Sequence, residues 1–212
     1  MARKPRQPRP QPKHRRAEPV TSLRVIGGQW RSRVLPVADR PGLRPTPNRV
    51  RETLFNWLAP RIEGAVCVDL FAGTGALGIE ALSRGAARAV FVERDRAAAA
   101  AIEAALAKLG ASERAQVIVG DATDAARRID VASADILFID PPFDTELHGP
   151  ALRGAQPLLG VHSRLYLEYP AESAAAIDDQ LAADYEILRQ SRSAGVGYCL
   201  ARRRPTGEDS PP

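Results

Sequence analysis

Cysteine and histidine are scarce in this sequence of 212 residues, which holds 2 cysteines and 3 histidines. Cys67 and Cys199 stand alone in apolar segments, and the sequence has no C-x-x-C pair. This spacing excludes a disulfide framework and gives no support to a zinc site, so we expect a protein without a metal. Both thiols are expected to be reduced and buried in the core.

Long apolar runs are also absent. No stretch reaches the roughly 18 residues that span a bilayer, and residues 1–20 lack the apolar centre of a secretory signal. The sequence therefore indicates a soluble, cytoplasmic protein with no membrane partner. It contains no internal repeat, and its hydrophobic content of 44% fits one substantial core. We expect one catalytic domain and, by default, a monomer.

Acidic residues are few at the N-terminal end, where residues 1–61 carry 15 Lys/Arg against 3 Asp/Glu. The rest of the chain is acidic on balance, so the net charge of +5 hides two oppositely charged parts. Clustered Lys and Arg displace counterions from phosphates, although a membrane surface or simple solubility also explains basic tails. A nucleic-acid partner is favoured because a site for a nucleobase, described below, is also present.

Composition and turn signals divide the chain into four parts. Residues 1–21 are rich in Arg, Pro, Gln and Lys, and we predict that they form a disordered basic leader. Residues 22–61 predict a small N-terminal extension made of a β-hairpin and a helix. Residues 62–204 predict a larger domain, and residues 205–212 a disordered tail.

Glycine and proline define the extension. The hairpin is predicted to turn at Gly27-Gly28, and the helix is predicted to begin with Thr46 as N-cap and Pro47 at its first position. A basic hairpin is suited to gripping nucleic acid. Its outward arginines are Arg24, Arg31 and Arg33.

Strands and helices alternate from residue 62 onward. The predicted strands cover 66–70, 88–93, 115–119, 135–139, 163–168, 185–192 and 196–202. The predicted helices cover 76–84, 95–109, a short stretch after Asp121, and 146–158. This alternation predicts an α/β fold of the Rossmann-like type, in which a mainly parallel seven-stranded sheet ends in two antiparallel strands.

A glycine turn joins the first of these strands to the first helix. Gly73-x-Gly75-x-x-Gly78 satisfies the dinucleotide-binding fingerprint, and Glu93 lies about 20 residues further on. A nicotinamide oxidoreductase is therefore an alternative on this motif alone. Asp69, however, is poorly placed beside a pyrophosphate and well placed for the cationic amino-acid part of S-adenosylmethionine.

The strand ends supply further predicted cofactor contacts. Glu93 is expected to accept both ribose hydroxyls, and Asp121 an adenine amino hydrogen, although Asp121 also fits a simple helix cap. The residues predicted from this pattern to bind the cofactor are Asp69, Phe71, Ala72, Gly73, Thr74, Gly75, Glu93, Asp121 and Ala122.

A second motif, Asp140-Pro141-Pro142-Phe143, follows the apolar run Ile136–Ile139. An exocyclic purine amine is a poor nucleophile, and acceptors aimed at its two hydrogens help it to become pyramidal as a methyl group arrives. Asp140 and the Pro141 carbonyl supply such acceptors, the two prolines stiffen the loop, and Phe143 can stack on the base. These four residues are therefore predicted to be catalytic in methyl transfer to a nucleobase.

Asp140 is expected to keep its ordinary pKa near 4 and to be ionised throughout the reaction. A stacked base cannot enter such a pocket, so the target must be unpaired or flipped out.

Together with two N-terminal segments, these motifs make the chain from Leu23 to Arg202 resemble the RsmD family of bacterial 16S ribosomal RNA guanine-N2 methyltransferases. The segments that carry the resemblance are Arg24–Arg31, Gly42–Thr46, Arg49–Asn56, Asp69–Gly78 and Asp140–Phe143. The N-terminal segments are far more specific than the glycine turn.

The resemblance implies a class I methyltransferase fold, with S-adenosylmethionine as donor and S-adenosylhomocysteine as product. It implies methylation of the N2 amine of one guanine in a small-subunit rRNA hairpin loop. The implied substrate is the small ribosomal subunit or its assembly intermediate in preference to naked RNA. It also places the segment Arg44–Glu52 over the pocket, which makes Thr46 a cofactor contact. The further RNA contacts that it implies are Arg44, Arg49 and Arg51.

Alternatives for the function and for single residues stay open. An adenine-N6 methyltransferase uses the same amine chemistry, and a nonenzymatic rRNA-binding assembly factor could use the same fold for docking. Arg49 and Arg51 could be ordinary solvated helix residues. Trp30 could stack on RNA, but packing against the core is favoured.

Overall fold

The computed structural model describes residues 22–37, 46–124, 128–129, 131, 133–143, 145–193 and 195–204. The predictions for the leader at 1–21, the tail at 205–212 and Arg44 lie outside these described residues.

Nine strands and five helices make up the described chain. The strands are β1 Ser22–Arg24, β2 Val34–Pro36, β3 Val66–Asp69, β4 Arg88–Glu93, β5 Ala115–Val119, β6 Ala134–Ile139, β7 Leu159–Pro170, β8 Tyr185–Ser193 and β9 Val196–Arg203. The helices are α1 Asn48–Leu58, α2 Ala76–Ser83, α3 Arg96–Leu109, α4 His148–Ala155 and α5 Ala174–Ala182.

Strands β3 to β9 form one seven-stranded sheet in the order β5-β4-β3-β6-β7-β9-β8, and β1 pairs with β2 in a separate antiparallel pair. The pairs from β5 through β7 are parallel, while β9 pairs antiparallel with both β7 and β8. This confirms the predicted mainly parallel α/β sheet with an antiparallel end. The chain order reverses between β3 and β6, and ligands of such sheets bind in the crevice at the carboxyl ends of those strands.

Local sequence explains the element boundaries. Asp95 caps α3, because its Oδ1 accepts hydrogen bonds from the backbone N–H groups of Ala97 and Ala98, and Gly110 ends the helix at φ 67°. Both boundaries were predicted. The described residues 122–124 form a turn, and residues 125–127 lie outside the described chain, so the short helix predicted after Asp121 stays a prediction.

Hydrophobic clusters cover both faces of the sheet. One contains residues of α1 and α2 together with Phe138 and Tyr166, and the other contains residues of α4, α5 and β8. Leu23, Val25 and Trp30 of the extension belong to the first cluster, so the extension shares its core with the larger domain. Trp30 is buried, which confirms packing as its role in this structure. Cys67 and Cys199 are free and buried, as predicted.

Side chains of α2 hold the extension in place. The carboxylate of Glu80 accepts hydrogen bonds from the backbone N–H groups of Ile26 and Gly27, both at 2.8 Å. Ser83 Oγ donates to the Gly27 carbonyl and accepts from the Trp30 N–H. A Cβ at Gly28, where φ is +74°, would clash with the Ser83 carbonyl, so glycine permits this close approach.

The extension differs from its prediction in two details. The strands of the hairpin are short, and the segment between them contains a 3₁₀ turn at Gly28–Trp30 instead of a tight turn at Gly27-Gly28. Helix α1 begins at Asn48 with Pro47 as N-cap, so the predicted N-cap role of Thr46 is wrong. The Thr46 hydroxyl binds elsewhere, as described below.

Candidate active site

The glycine turn connects β3 to α2 through two left-handed residues. Gly73 has φ 53° and Gly75 has φ 77°, values that favour glycine. The Gly75 N–H donates to the Ala72 carbonyl, which tightens the turn at the start of α2. A Cβ at Gly78 would clash with the Phe91 ring, so this glycine lets α2 pack directly on β4. The turn thus brings backbone N–H groups close to the crevice between β3 and β6.

Asp69, the last residue of β3, is 2% exposed. Within the described chain, its Oδ1 is buried without a hydrogen-bond partner. Burial and the negative charge of Asp140 raise the pKa of Asp69 to about 8, although the N–H groups of Gly78 and Phe71 oppose the shift. A buried carboxylate oxygen without a partner is satisfied best by a cationic donor. This observation fits the ammonium group of S-adenosylmethionine.

The other predicted cofactor residues line the same edge of the sheet. Glu93, at the end of β4, accepts hydrogen bonds from the N–H groups of Gly73 and Asp95 at 2.8 and 2.7 Å. Its carboxylate therefore ties the glycine turn to β4. Phe71 is half-buried, whereas Ala72, Thr74 and Ala122 are buried.

Asp121 is exposed and closes a local turn. Its Oδ1 accepts from both the N–H and the hydroxyl of Thr123, at 2.8 and 2.7 Å. The Thr123 hydroxyl and N–H lower the pKa of Asp121, so this group is an ionised acceptor at the rim of the crevice.

Asp140 comes directly after β6, across the crevice from Asp69. Its Oδ2 accepts a hydrogen bond of 3.2 Å from the hydroxyl of Thr46, a buried residue just before α1. Burial raises the pKa of Asp140 to about 7, and the Thr46 hydrogen bond opposes the shift. The predicted ordinary pKa near 4 is wrong for this conformation, because desolvation outweighs the hydrogen bond. Burial therefore favours the protonated form of this carboxyl more than in an exposed aspartate.

The rest of the Asp-Pro-Pro-Phe loop turns outward. Pro141 is buried, and the Phe143 ring is 41% exposed. The Pro142 carbonyl accepts from the N–H and hydroxyl of Thr145, which fixes the end of the loop. An exposed aromatic ring beside a half-buried carboxyl gives a flat surface next to a hydrogen-bond acceptor.

One acid of this site was missed by the sequence analysis. Glu168 in β7 is 3% exposed, and its Oε2 accepts a 2.8 Å hydrogen bond from the Tyr166 hydroxyl. Burial and the charge of Asp140 raise the pKa of Glu168 to about 9. His148 Nε2 contacts the Glu168 carbonyl at 2.8 Å. The available signal was its place at the end of the predicted strand 163–168, next to the strand that precedes Asp140.

The predicted RNA-contacting arginines separate into two groups. Arg24, Arg31, Arg33 and Arg49 are exposed. Arg51 is 1% exposed, and its Nη2 donates to the Arg24 carbonyl and Asn48 Oδ1, while its Nη1 lies 3.7 Å from Glu80. Arg51 is therefore not exposed for RNA contact, and it is not a solvated helix residue either. In this conformation it joins the extension to α2.

A cavity of about 310 Å³ lies beside the extension. Among the residues around it are Arg24 of β1, and Thr46 and Asn48 at the start of α1. Thr46, whose hydroxyl binds Asp140, therefore forms part of the wall of this cavity. Among the described residues, no cluster of three or more His, Cys, Asp or Glu could hold a metal ion. In the same part of the chain, no helix is both long and apolar enough to cross a membrane.

Known proteins are similar to this chain in sequence and in fold. The family model described as "Conserved hypothetical protein 95" matches residues 23–200. Ribosomal RNA small subunit methyltransferase D of Escherichia coli K12 is 42% identical over 188 residues, covering 88% of this chain and 92% of that protein. The Haemophilus influenzae protein of the same name is 45% identical over 132 residues, covering 61% of this chain and 68% of that protein.

A solved structure supports the same assignment. The Escherichia coli protein yhhF, whose name marks it as a candidate methyltransferase, superposes with a TM-score of 0.73 at 40% identity. The match covers 87% of this chain and 99% of that one. The seven-stranded sheet is the Rossmann-like sheet of class I methyltransferases, and the chain belongs to the RsmD family.

Proposed function

We propose that this protein transfers a methyl group from S-adenosylmethionine to the N2 amine of a guanine in the RNA of the small ribosomal subunit. The observation that carries the proposal is the position of Asp140 and its stiff Pro-Pro-Phe loop across the crevice from Asp69 and the glycine turn. Relatives that match along most of the chain are named as small-subunit rRNA methyltransferases.

Asp69 is the proposed anchor for the cofactor ammonium, because its buried Oδ1 has no partner within the described chain. Glu93 is proposed for the ribose hydroxyls and Asp121 for the adenine amine. Both lie at the same edge of the sheet as Asp69, at the ends of β4 and β5. When bound, S-adenosylmethionine supplies an electrophilic methyl group on a sulfonium sulfur. A nicotinamide cofactor fits less well, because Asp69 would face a pyrophosphate.

Asp140 is the proposed acceptor for one hydrogen of the target amine, and the Pro141 carbonyl for the other. As the N–C bond forms, N2 becomes cationic and acidic, and its proton passes to the Asp140 carboxylate. A pKa raised to about 7 makes Asp140 a better proton acceptor than an ordinary aspartate while much of it stays ionised at neutral pH. The exposed Phe143 ring would stack on the base and fix its plane.

The basic extension is the proposed RNA-binding surface. Arg24, Arg31, Arg33 and Arg49 are exposed there, and Arg24 lines the cavity that Thr46 also lines. Phosphate contacts at these arginines would offset the few kcal/mol that unstacking one base costs. Arg51 is left out of this surface because its guanidinium is buried.

The test is transfer of labelled methyl from S-adenosylmethionine to small subunits that lack the modification, followed by nucleoside analysis. We expect N2-methylguanosine, and a loss of about 1000-fold or more in rate with Asp140→Asn, since the acceptor of the amine proton is removed. Asp179→Asn, an exposed position on α5, is the matched control. Formation of N6-methyladenosine would replace guanine by adenine as the target, and no transfer with cofactor bound would overturn the proposal.

A further inference from the structure

Glu168 is the buried acid of the site that the reaction above does not use. The register of β6 on β7 pairs Phe138 with Tyr166 and Ile139 with Leu167. Continuing the register by one residue sets Asp140 opposite Glu168. Neighbouring parallel strands lie about 4.8 Å apart, and residues two apart share one face of a sheet.

The two carboxyls therefore lie on the same face of the sheet. The rings of Phe138 and Tyr166, two residues before each acid, are in contact on that face, with centroids 6.2 Å apart. Burial raises the pKa of both Glu168 and Tyr166, and the charge of Asp140 adds to both shifts, which is the electrostatic consequence of this proximity.

The surroundings of Glu168 fix its orientation. The Tyr166 hydroxyl donates to Oε2, and His148 holds the backbone carbonyl of the same residue. Among the contacts of the described chain, Tyr166 is the hydrogen-bond partner found for this carboxyl, and it leaves Oε1 available. One oxygen of the buried carboxyl is thus held by Tyr166 and the other is available, which is the arrangement expected of a residue that recognises a ligand.

The chemistry of guanine matches this acid. On its Watson–Crick edge, the N2 amine is followed by the N1–H donor and then by the O6 acceptor. With its pKa raised to about 9, Glu168 keeps its proton near neutral pH, and an unionised carboxyl has one acceptor oxygen and one O–H donor. Adenine, if its N6 amine lay at Asp140, would present an N1 acceptor and a C2–H instead.

We propose that Glu168 is a specificity-determining residue: its carboxyl pairs with N1–H and O6 of the guanine whose N2 amine lies at Asp140. This inference rests on the proposed function and names the group that selects guanine. Tyr166 is then a positioning residue that acts through Glu168.

The experiment compares two bases at the methylated position of reconstituted small subunits. 2-Aminopurine keeps the N2 amine but lacks both N1–H and O6. For the wild-type protein we expect kcat/KM to be about 10- to 100-fold higher with guanine, since two hydrogen bonds separate the substrates. Equal rates on the two bases would overturn the inference even while N2-methylguanosine formation upholds the proposed function.

Two variants of Glu168 sharpen the test. Glu168→Met keeps the length of the side chain and removes both polar atoms, and we expect it to reduce the guanine preference to within about threefold. Glu168→Gln keeps an acceptor and a donor and should retain most of the preference. A merely structural role predicts that Glu168→Met lowers both rates equally, and that result would also overturn the inference.

If Glu168→Met does not fold, Tyr166→Phe serves in its place. It should reduce the preference by loosening the carboxyl, while the melting temperature with S-adenosylmethionine shows that the cofactor still binds. An unchanged guanine preference in Tyr166→Phe, with the cofactor still bound, would overturn the inference, because the preference would then not depend on how the Glu168 carboxyl is held.

Discussion

Two regions of the molecule bury acidic side chains in opposite ways. In the docking region, made of the hairpin, the start of α1 and α2, Glu80 is fully buried but accepts from two backbone N–H groups and pairs with Arg84 and Arg51. In the crevice region, at the ends of β3, β6 and β7, Asp69, Asp140 and Glu168 lie close together with no arginine or lysine ion pair among the described contacts. Their pKa values are all raised.

The difference separates a structural use of burial from a functional one. A buried carboxylate with cationic and N–H partners is stabilised, and it fixes the elements that carry those partners. Buried acids that face one another without cations destabilise the free protein and are prepared for a cationic ligand or a proton. The docking region thus uses a buried acid to fix the extension on α2, and the crevice region uses its buried acids to bind a ligand or a proton.

The largest expected effect is at the docking region. Glu80→Ala would leave the Arg51 guanidinium buried without its counter-charge and the N–H groups of Ile26 and Gly27 without an acceptor. We expect the free energy of unfolding to fall by about 3–5 kcal/mol. Urea denaturation at pH 7 measures the change, with Glu103→Ala on the exposed face of α3 as a control expected within about 0.5 kcal/mol.

A double variant separates the charge from the packing. Arg51→Met with Glu80→Met replaces the ion pair by apolar side chains, and it should be less destabilised than Glu80→Ala alone. If Glu80→Ala were as stable as Glu103→Ala, the partners of Glu80 would contribute little and the contrast between the regions would fail.

In the crevice region, Asp69→Asn should affect ligand binding and not lower stability, in contrast to Glu80→Ala. The free energy of unfolding should stay level or rise, because a buried carboxyl whose ionised form is disfavoured is replaced by a neutral amide. The affinity for S-adenosylmethionine should fall about 10- to 100-fold, the value of a hydrogen bond to a charged group. Calorimetric titration and thermal melting measure both, with Asp179→Asn as control. Unchanged affinity with lower stability would make Asp69 a structural acid like Glu80.

The buried acids of the crevice region should also make the free energy of unfolding depend on pH. Asp69 has a folded-state pKa of about 8 and Glu168 of about 9, whereas the unfolded chain loses these protons near pH 4. Between those limits, unfolding releases protons, so the free energy of unfolding falls as the pH rises. Each group contributes at most about 1.4 kcal/mol per pH unit.

Urea midpoints at pH 5.5, 6.5 and 7.5 test this slope without ligand. Asp69→Asn and Glu168→Gln should each make the decline shallower, and saturating S-adenosylmethionine should do the same by favouring ionised Asp69. A free energy of unfolding that rises with pH over this interval, or a decline in both variants as steep as in the wild type, would contradict the raised pKa values.

The fold was largely predictable because it depends on local pattern. Alternating strands and helices, the Asp95 cap and the glycine turn are each specified within a few residues, and parallel strands joined by helices have few allowed arrangements. The carboxyl ends of such strands converge, so Asp69, Glu93 and Asp140 could be assigned to one edge before the structure was known.

The wrong or missing parts depend on contacts between distant residues. Arg51 was predicted to face RNA, because nothing near it in the sequence indicates Glu80 as a partner. Thr46 has the residue type of an N-cap, but its hydroxyl binds Asp140, 94 residues away. The raised pKa of Asp140 follows from burial in the folded chain, and the place of Glu168 beside it follows from the pairing of β6 with β7. The neighbours of these acids in the sequence reveal neither.

The smallest expected effect concerns the exposed arginines of the hairpin, which lie in the docking region but face solvent. Replacing Arg24, Arg31 and Arg33 by Ala should leave stability and S-adenosylmethionine affinity unchanged, because none of the three side chains is buried. RNA affinity at physiological salt should fall only a few-fold per arginine, since such phosphate contacts are screened.

The salt dependence of binding is the sensitive measurement. Each lost phosphate contact should reduce the slope of log affinity against log salt by about 0.7–0.9. Arg189→Ala with Arg192→Ala, on exposed positions of β8 at the far edge of the sheet, is the control for a general loss of positive charge. If the control lowered the slope as much per arginine as the hairpin variant, RNA would be attracted by net charge alone. A difference confined to the hairpin would show that the docking region serves binding through its surface and stability through its interior.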